Sequence, residues 1–188
     1  RRANGTSNHE IWDRLRGPRK YLFADTTNSE GTAFSSADQW LHDYMDKFIW
    51  SADDGFTASS GETFCSWNFK RAPGFFDAVA YSGTGSAQTV SHNLGVAPEM
   101  VWVKSRNNTT SSWSVTSSVL GAGGYMFLSS AGLAQGVGSN TDYDNNTSPT
   151  STVFSRGSED SQGGTNYIAY LFASVAGISK VGSYTGTG

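Results

Sequence analysis

Cysteine occurs once in the 188 residues, at Cys65, which excludes a disulfide within the chain. Charge is sparse: Asp, Glu, Lys and Arg make up 15% of the residues, and 13 basic against 16 acidic side chains leave a net charge of −3. The longest basic stretch is "GPRK", so the electrostatic footprint of a nucleic-acid binder is missing. No apolar run approaches the ~20 residues of a membrane-spanning helix, and no membrane insertion is expected. No secretory leader is visible ahead of Arg1-Arg2, and both ends read as cuts in something longer. Strong helix formers are few. What is abundant is Gly (22 residues), aromatics (13%) and Ser, Thr and Asn, with a mean hydropathy of −0.40. Such a composition favours an all-β chain with polar loops.

The sequence repeats itself. Gly61 to Gly85, "GETFCSWNFKRAPGFFDAVAYSGTG", aligns without a gap on Gly164 to Gly188, "GTNYIAYLFASVAGISKVGSYTGTG", at an offset of 103. Gly61, Phe69, Gly74, Tyr81, Gly83, Thr84 and Gly85 meet identical residues, and Phe64 and Trp67 meet Tyr167 and Tyr170. Upstream, with a one-residue shift, Gly17, Tyr21 and Phe23 fall on Gly121, Tyr125 and Phe127. The expected organisation is therefore a tandem array of β-sandwich, jelly-roll-like domains of about one hundred residues. Residues 1–80 form the latter part of one repeat, 81–183 a complete second one, and 184–188 the start of a further repeat. The Tyr-x-Gly-x-Gly phrase should mark the boundary, with glycines at φ > 0.

Alternation sets the expected strands. "EMVWVKS" places Met100, Trp102 and Lys104 on one face and Val101 and Val103 on the other, with "SWSVTSS" as its hairpin partner. "DAVAYSGTG", "AQTVSHNLG", "GYMFLSS" and "TSTVFSR" read as further strands. "TNYIAYLFAS" is apolar on both faces and suits the centre of a sheet. The expected core contains Val101, Val103, Phe127, Val153, Ile168, Tyr170 and Phe172, or their alternate neighbours. Cys65 and Trp67 read as core residues of a strand. One segment breaks the pattern. Ser35 to Trp50, "SSADQWLHDYMDKFIW", has apolar residues at helical spacing after a capping serine and reads as one short helical insertion. Its apolar surface suits contact with a neighbouring chain or unit.

Candidate chemistry is thin. Asp142, Asp144 and Asn146 alternate in "NTDYDNNT", as oxygen ligands of Ca²⁺ do, but the Gly and distal Glu of a calcium loop are missing. A polar surface turn is the competing reading, and no other cofactor is implied. His92 in "SHNLG" lacks a nucleophile motif and reads as a turn-shaping residue. "HEIWD" does not complete H-E-x-x-H. The pairs Asp53-Asp54 and Glu159-Asp160 read as solvated turn residues rather than a catalytic pair, which needs two carboxyls across a cleft. No catalytic residue is assigned. Trp40, Trp50, Trp113 and Tyr143 are the candidate contacts for a glycan or a neighbouring subunit.

The phrases "YSGTGSAQTVSHNLGVAPEMVWVKSR", "GYMFLSS", "SPTSTVFSRG" and "GGTNYIAYLFASVAGISKVGSYTGTG" resemble a repeat domain of virion proteins from marine tailed phages, above all cyanophages. The resemblance implies a non-enzymatic structural or adhesion segment of an extracellular virion appendage, a tail fibre or head fibre. Its implied partners are other virion proteins, a host-surface glycan or receptor, and further copies of itself, as a trimer. Two rivals stand beside this reading: a carbohydrate-binding module of a secreted or cell-surface adhesin, and a polysaccharide-degrading appendage enzyme.

Overall fold

The computed structural model describes residues 8–17, 19–32, 42–43, 48–49, 63, 65–128 and 140–187. Among these the chain is almost all β. In chain order the strands are β1 (Glu10–Trp12), β2 (Lys20–Phe23), β3 (Gly31–Thr32), β4 (His42–Asp43), β5 (Phe48–Ile49), β6 (Phe76–Ser82) and β7 (Gln88–Ser91). They continue with β8 (Met100–Ser105), β9 (Ser114–Ser117), β10 (Tyr125–Phe127), β11 (Val153–Arg156) and β12 (Asn166–Phe172). Among the described residues the one helical element is a 3₁₀ turn, Glu159–Ser161.

The main sheet is antiparallel, in the order β10-β9-β8-β12-β6. β12 lies inside it, paired with β6 on one side and β8 on the other, which explains why its residues are apolar on both faces. One face packs Val101, Val103, Tyr167, Ala169 and Leu171 against Val90, Leu94 and Phe154 of the β7–β11 region. The opposite face packs Ala78, Ile168 and Tyr170, with Trp102 and Phe172 beside them, against Ile11 and Leu22 of the β1-β2-β3 sheet. The main sheet is thus covered on both sides. Each large apolar side chain sealed between these layers contributes ~1.5–3 kcal/mol by leaving water. Val101, Val103, Ile168 and Tyr170 are buried as expected, Phe127, Val153 and Phe172 are half-buried, and the alternate neighbour Phe154 takes the inward position beside Val153.

The sequence repeat recurs as local geometry. The β1–β2 hairpin pairs Glu10 with Phe23 and Trp12 with Tyr21; the β9–β10 hairpin pairs Ser114 with Phe127 and Thr116 with Tyr125. Every residue of the first meets its counterpart 104 positions later. A second motif recurs at offset 103. Ala72 N–H donates to Phe76 O at 3.0 Å and Phe75 N–H to Ala72 O at 3.1 Å. Val175 N–H donates to Ser179 O at 3.0 Å and Ile178 N–H to Val175 O at 2.9 Å. Gly74 and Gly177 sit in these turns at φ 71° and 75°, where a side chain would be strained.

Several expectations fail. The boundary placed between residues 80 and 81 falls inside β6, because the recurring turn at 72–76 feeds that strand directly. Cys65 and Trp67 are exposed rather than core, Trp67 at 73%, and residues 65–70 lie outside any strand. Phe69 is half exposed and packs on Phe76 and Phe172, whereas Phe172 is itself part of β12, so the two aligned phenylalanines occupy different environments. The helix expected over Ser35–Trp50 lies mostly outside the described residues. The part described is β: β4 and β5 pair antiparallel, His42 with Ile49 and Asp43 with Phe48. Phe and Ile are strong strand formers.

Candidate functional site

A polar cleft of about 220 Å³ opens between the β8–β9 loop, the end of β10, the 140–150 loop and the 3₁₀ turn. One wall is aromatic. Phe127 and Tyr143 line it, and Tyr125, two residues before Phe127 on β10, packs against Tyr143 from behind. That ring lies 4.1 Å from the Tyr125 centroid and meets Phe127 edge-on at 5.6 Å. Burial, with Asp160 nearby, pushes the Tyr143 hydroxyl above its usual range, so it is a neutral donor at every physiological pH. The rest of the lining is polar: the uncharged Asn108, Thr110, Ser111, Ser112 and Gln162, together with the acidic Glu159 and Asp160.

Backbone constraints place Tyr143. Both oxygens of the buried Asp144 carboxylate accept the Gly123 N–H, at 2.9 and 3.1 Å, and one also accepts the Asn146 N–H at 2.9 Å. Asn145 and Asn146 take left-handed φ values of 54° and 48°, a conformation asparagine tolerates better than most residues. Tyr143 O accepts from Gly157 N–H at 2.8 Å, and Asp142 O from Glu159 N–H at 2.9 Å. A Cβ on Gly157 would stand 1.9 Å from Thr141 O, so only glycine lets the two backbones lie together.

The opening phrase of the repeat holds the floor. Tyr81 O–H donates to Asp160 O at 2.9 Å, Gly83 N–H to Thr165 O at 2.8 Å, and Gly85 N–H to Ser161 O at 2.7 Å. A Cβ on Gly83 would meet Gln162 O at 2.1 Å; Gly85 has φ 85°. The glycines of "YSGTG" therefore serve close backbone approach at one position and a left-handed turn at the other. Tyr167 O–H adds a bond to Glu159 O at 3.1 Å and accepts from Gln162 N–H at 3.1 Å.

Beneath the cleft lies a buried polar network. Asp160, expected as a solvated turn residue, is buried; its Oδ2 accepts from Ser114 Oγ and from Arg156 Nη1 at 3.4 Å. Arg156 is fully buried, donates to Thr116 Oγ1 at 3.2 Å and lies over the Phe154 ring at 5.1 Å. Burial outweighs Arg156 and pushes the Asp160 carboxyl up to about 6. Glu159, by contrast, is exposed at the rim, where its Oε2 accepts from Gln162 Nε2 at 3.3 Å.

The remaining candidates separate. Tyr143 lines the cleft. Trp113 does not: it is fully buried, its Nε1–H donates to Phe23 O at 2.7 Å, and it stacks on Tyr170, because the β1–β2 hairpin covers the start of β9. Trp40 and Trp50 lie outside the described residues, as do Asp53 and Asp54. Asp142, Asp144 and Asn146 act as loop staples, Asp142 accepting from Asn140 Nδ2 at 3.2 Å, and no cluster of three acidic, His or Cys side chains fit to hold a metal occurs among the described residues. His92 shapes its turn: Nδ1 accepts from Leu94 N–H at 3.2 Å, which leaves Nε2–H to donate to Thr150 O at 3.1 Å. Asn108 and Gln162 escaped the reading of sites from sequence, whereas Glu159 was read as a solvated turn residue and is exposed. The only trace was the density of Asn, Ser and Thr in "RNNTTSS".

A family model described as a domain of unknown function, DUF7483, matches residues 1–188, spanning both expected repeats. No curated protein and no solved structure matches the chain.

Proposed function

The chain belongs to the DUF7483 family, and from that premise we propose that it is a non-enzymatic structural and adhesion segment of an extracellular phage appendage, a tail fibre or head fibre, that binds host-surface glycan in the cleft beside Tyr143. The observation that carries this reading is one cleft that joins the rings of Tyr143 and Phe127 to polar side chains, most of them uncharged. A sugar ring offers the same two faces, C–H groups for Tyr143 and Phe127 and hydroxyls for Asn108, Ser111 and Gln162. The low charge of the chain and its Ser- and Asn-rich loops suit wet, polar contacts of this kind.

Tandem jelly-roll-like sandwiches provide the stiff length of such an appendage. The recurring hairpin and turn support that arrangement. Partners on this reading are other virion proteins and further copies of the chain, assembled side by side as a trimer. The non-enzymatic reading draws support from Asp160, whose carboxylate is turned into the Ser114–Arg156 network and away from Glu159's position at the rim. The same cleft would serve a carbohydrate-binding module of an adhesin, and the neighbouring genes discriminate between the two settings.

The test is binding of the labelled chain to a printed array of bacterial surface polysaccharides and their oligosaccharides. Retention on a subset, weakened at least tenfold by Tyr143→Ala and by Gln162→Ala, supports the proposal. Absence of binding, or binding that both substitutions leave intact, overturns it. Loss of polymer viscosity on incubation would support the enzymatic rival instead.

A further inference from the structure

One chain of hydrogen bonds orders the polar side chains of the cleft. Thr110 N–H and Thr110 Oγ1–H both donate to Asn108 Oδ1 at 2.9 Å, Asn108 Nδ2 donates to Gln162 Oε1 at 3.5 Å, and Gln162 Nε2 donates to Glu159 Oε2 at 3.3 Å. The two ends fix its direction: a backbone N–H only donates and a carboxylate only accepts, so neither amide can be reversed. Ser111 Oγ–H is turned to Ser112 O at 3.4 Å. The Thr110 and Ser111 hydroxyl donors are thus spent within the wall, and the chain ends on the exposed Glu159 carboxylate, whose Oε1 it does not use. No cation answers that carboxylate, for no Lys or Arg lines the cleft. Lys104 and Arg156, both fully buried, lie behind it with their donors turned inward. Lys104 Nζ donates to Thr27 O at 3.1 Å and Ser111 O at 2.8 Å, and Arg156 donates to Ser155 O, Asp160 Oδ2 and Thr116 Oγ1. Tyr143 registers the imbalance: burial pushes its hydroxyl up, and the charges of Asp160, Glu159 and Asp142 add to that.

We propose that Glu159 sets the specificity of the cleft: the glycan it takes carries a free amino group, protonated to an ammonium ion that docks on the Glu159 carboxylate, and acidic glycans are excluded. This inference rests on the glycan reading above. An ammonium ion brings only donors, and a positive charge, to a wall whose hydrogen-bond chain ends in an acceptor. A carboxylate, sulfate or phosphate group would bring acceptors and like charge to a cleft lined by two carboxyl groups and no cation, which is rejection built into the site. An N-acetylated sugar keeps the ring for Tyr143 and Phe127 but loses the ion pair. The backbone of Glu159 is held from both sides, its N–H by Asp142 O at 2.9 Å and its carbonyl by the Tyr167 hydroxyl at 3.1 Å, so the carboxylate has a fixed place at the rim. Because the rim is exposed, the ion pair is modest in strength and weakened by salt.

The test presents the 188-residue chain to oligomers of glucosamine, N-acetylglucosamine and galacturonic acid of equal length, printed beside the bacterial polysaccharides. Amine-bearing glycans should be held roughly threefold or more tightly than their N-acetylated counterparts, and acidic ones should not be retained. Glu159→Gln, and separately about 0.5 M sodium chloride, should remove the preference for the amine. Tyr143→Ala should remove retention of the amine-bearing glycans, which separates docking in the cleft from the adhesion of any polycation to an acidic chain. Retention of acidic glycans, equal retention with and without the amine, a preference that Glu159→Gln leaves intact, or amine-dependent retention that survives Tyr143→Ala would overturn this inference while glycan binding itself stands. An array that retains nothing would overturn the glycan reading, and this inference with it.

Discussion

The β1–β2 and β9–β10 hairpins have the same register, residue for residue, and different fates. In the first, Leu22 is fully buried against the main sheet, and Tyr21 is closed in by Trp12, Phe23 and the backbone of Gly31. In the second, Met126 takes the place of Leu22 and is half-buried, while Tyr125 and Phe127 meet Tyr143 and Phe127 lines the cleft. Pairing geometry is local and repeats with the sequence. Burial and function depend on what packs against the hairpin, and that is set by loops in which the copies differ. The site is thus an addition to a repeated scaffold: the 140–150 loop, the 3₁₀ turn and the "YSGTG" grip build it, and the hairpin provides only one wall.

Five substitutions break or sharpen this contrast. The largest effect should come from Leu22→Ala, which leaves a cavity between two layers and should cost ~2–5 kcal/mol in urea denaturation. Met126→Ala, at the equivalent but half-buried position, should cost well under half as much; equal losses would erase the distinction between the hairpins. Next is Gly157→Ala. Its methyl would collide with the Thr141 carbonyl, so the 140–150 loop must move, at ~1–3 kcal/mol, and glycan retention should fall while the β1–β2 amides keep their exchange protection.

A smaller effect is pH-dependent. Asp160 has a folded pKa raised to about 6 from an ordinary 3.8, so the folded state holds this proton more tightly than the unfolded chain. Its contribution to stability is therefore least favourable above about 6 and improves as pH falls from about 6 toward 3.8. Asp13 acts in the opposite sense. Burial alone would raise it, but Arg16 and the Tyr170 hydroxyl hold it below the usual range, so its share is lost in the acid limb as it protonates. Asp160→Asn should remove the first slope, between about pH 6 and 3.8, and leave the second, below 3.8, a change read from denaturation midpoints across about pH 7 to 2. The smallest effect should be that of Trp67→Ser, within ~0.5 kcal/mol for an exposed side chain, although a core tryptophan would cost several times more.

Much of the fold was legible where the local signal and the tertiary outcome agree. The alternation of Val101 and Val103 against Met100, Trp102 and Lys104 matches the two covered faces of β8, and the apolar run of β12 matches its interior place. The Gly and aromatic matches fall on residues of the recurring turn and hairpin, although the repeat alone did not say which local structure they build. Legibility ended where a residue's surroundings come from distant segments. Trp113 looked like an edge residue because nothing near it in sequence reveals the β1–β2 layer that buries it. Cys65 and Trp67 looked internal because their pattern is that of β12, while the strands that surround β12 do not surround them. Asp160 looked solvated because its partners, Ser114 and Arg156, belong to two other strands. The cleft unites side chains from positions 108–112, 127, 143 and 159–162, a combination no spacing rule announces.

The most direct test of the account is to map, by amide chemical shifts of the isotopically labelled chain, where an oligosaccharide retained on the array binds. The account predicts saturable shifts centred on Asn108, Tyr143 and Gln162, with the β1–β2 hairpin silent despite its identical register. Shifts centred on Tyr21 and Phe23, or spread over both hairpins alike, would contradict it.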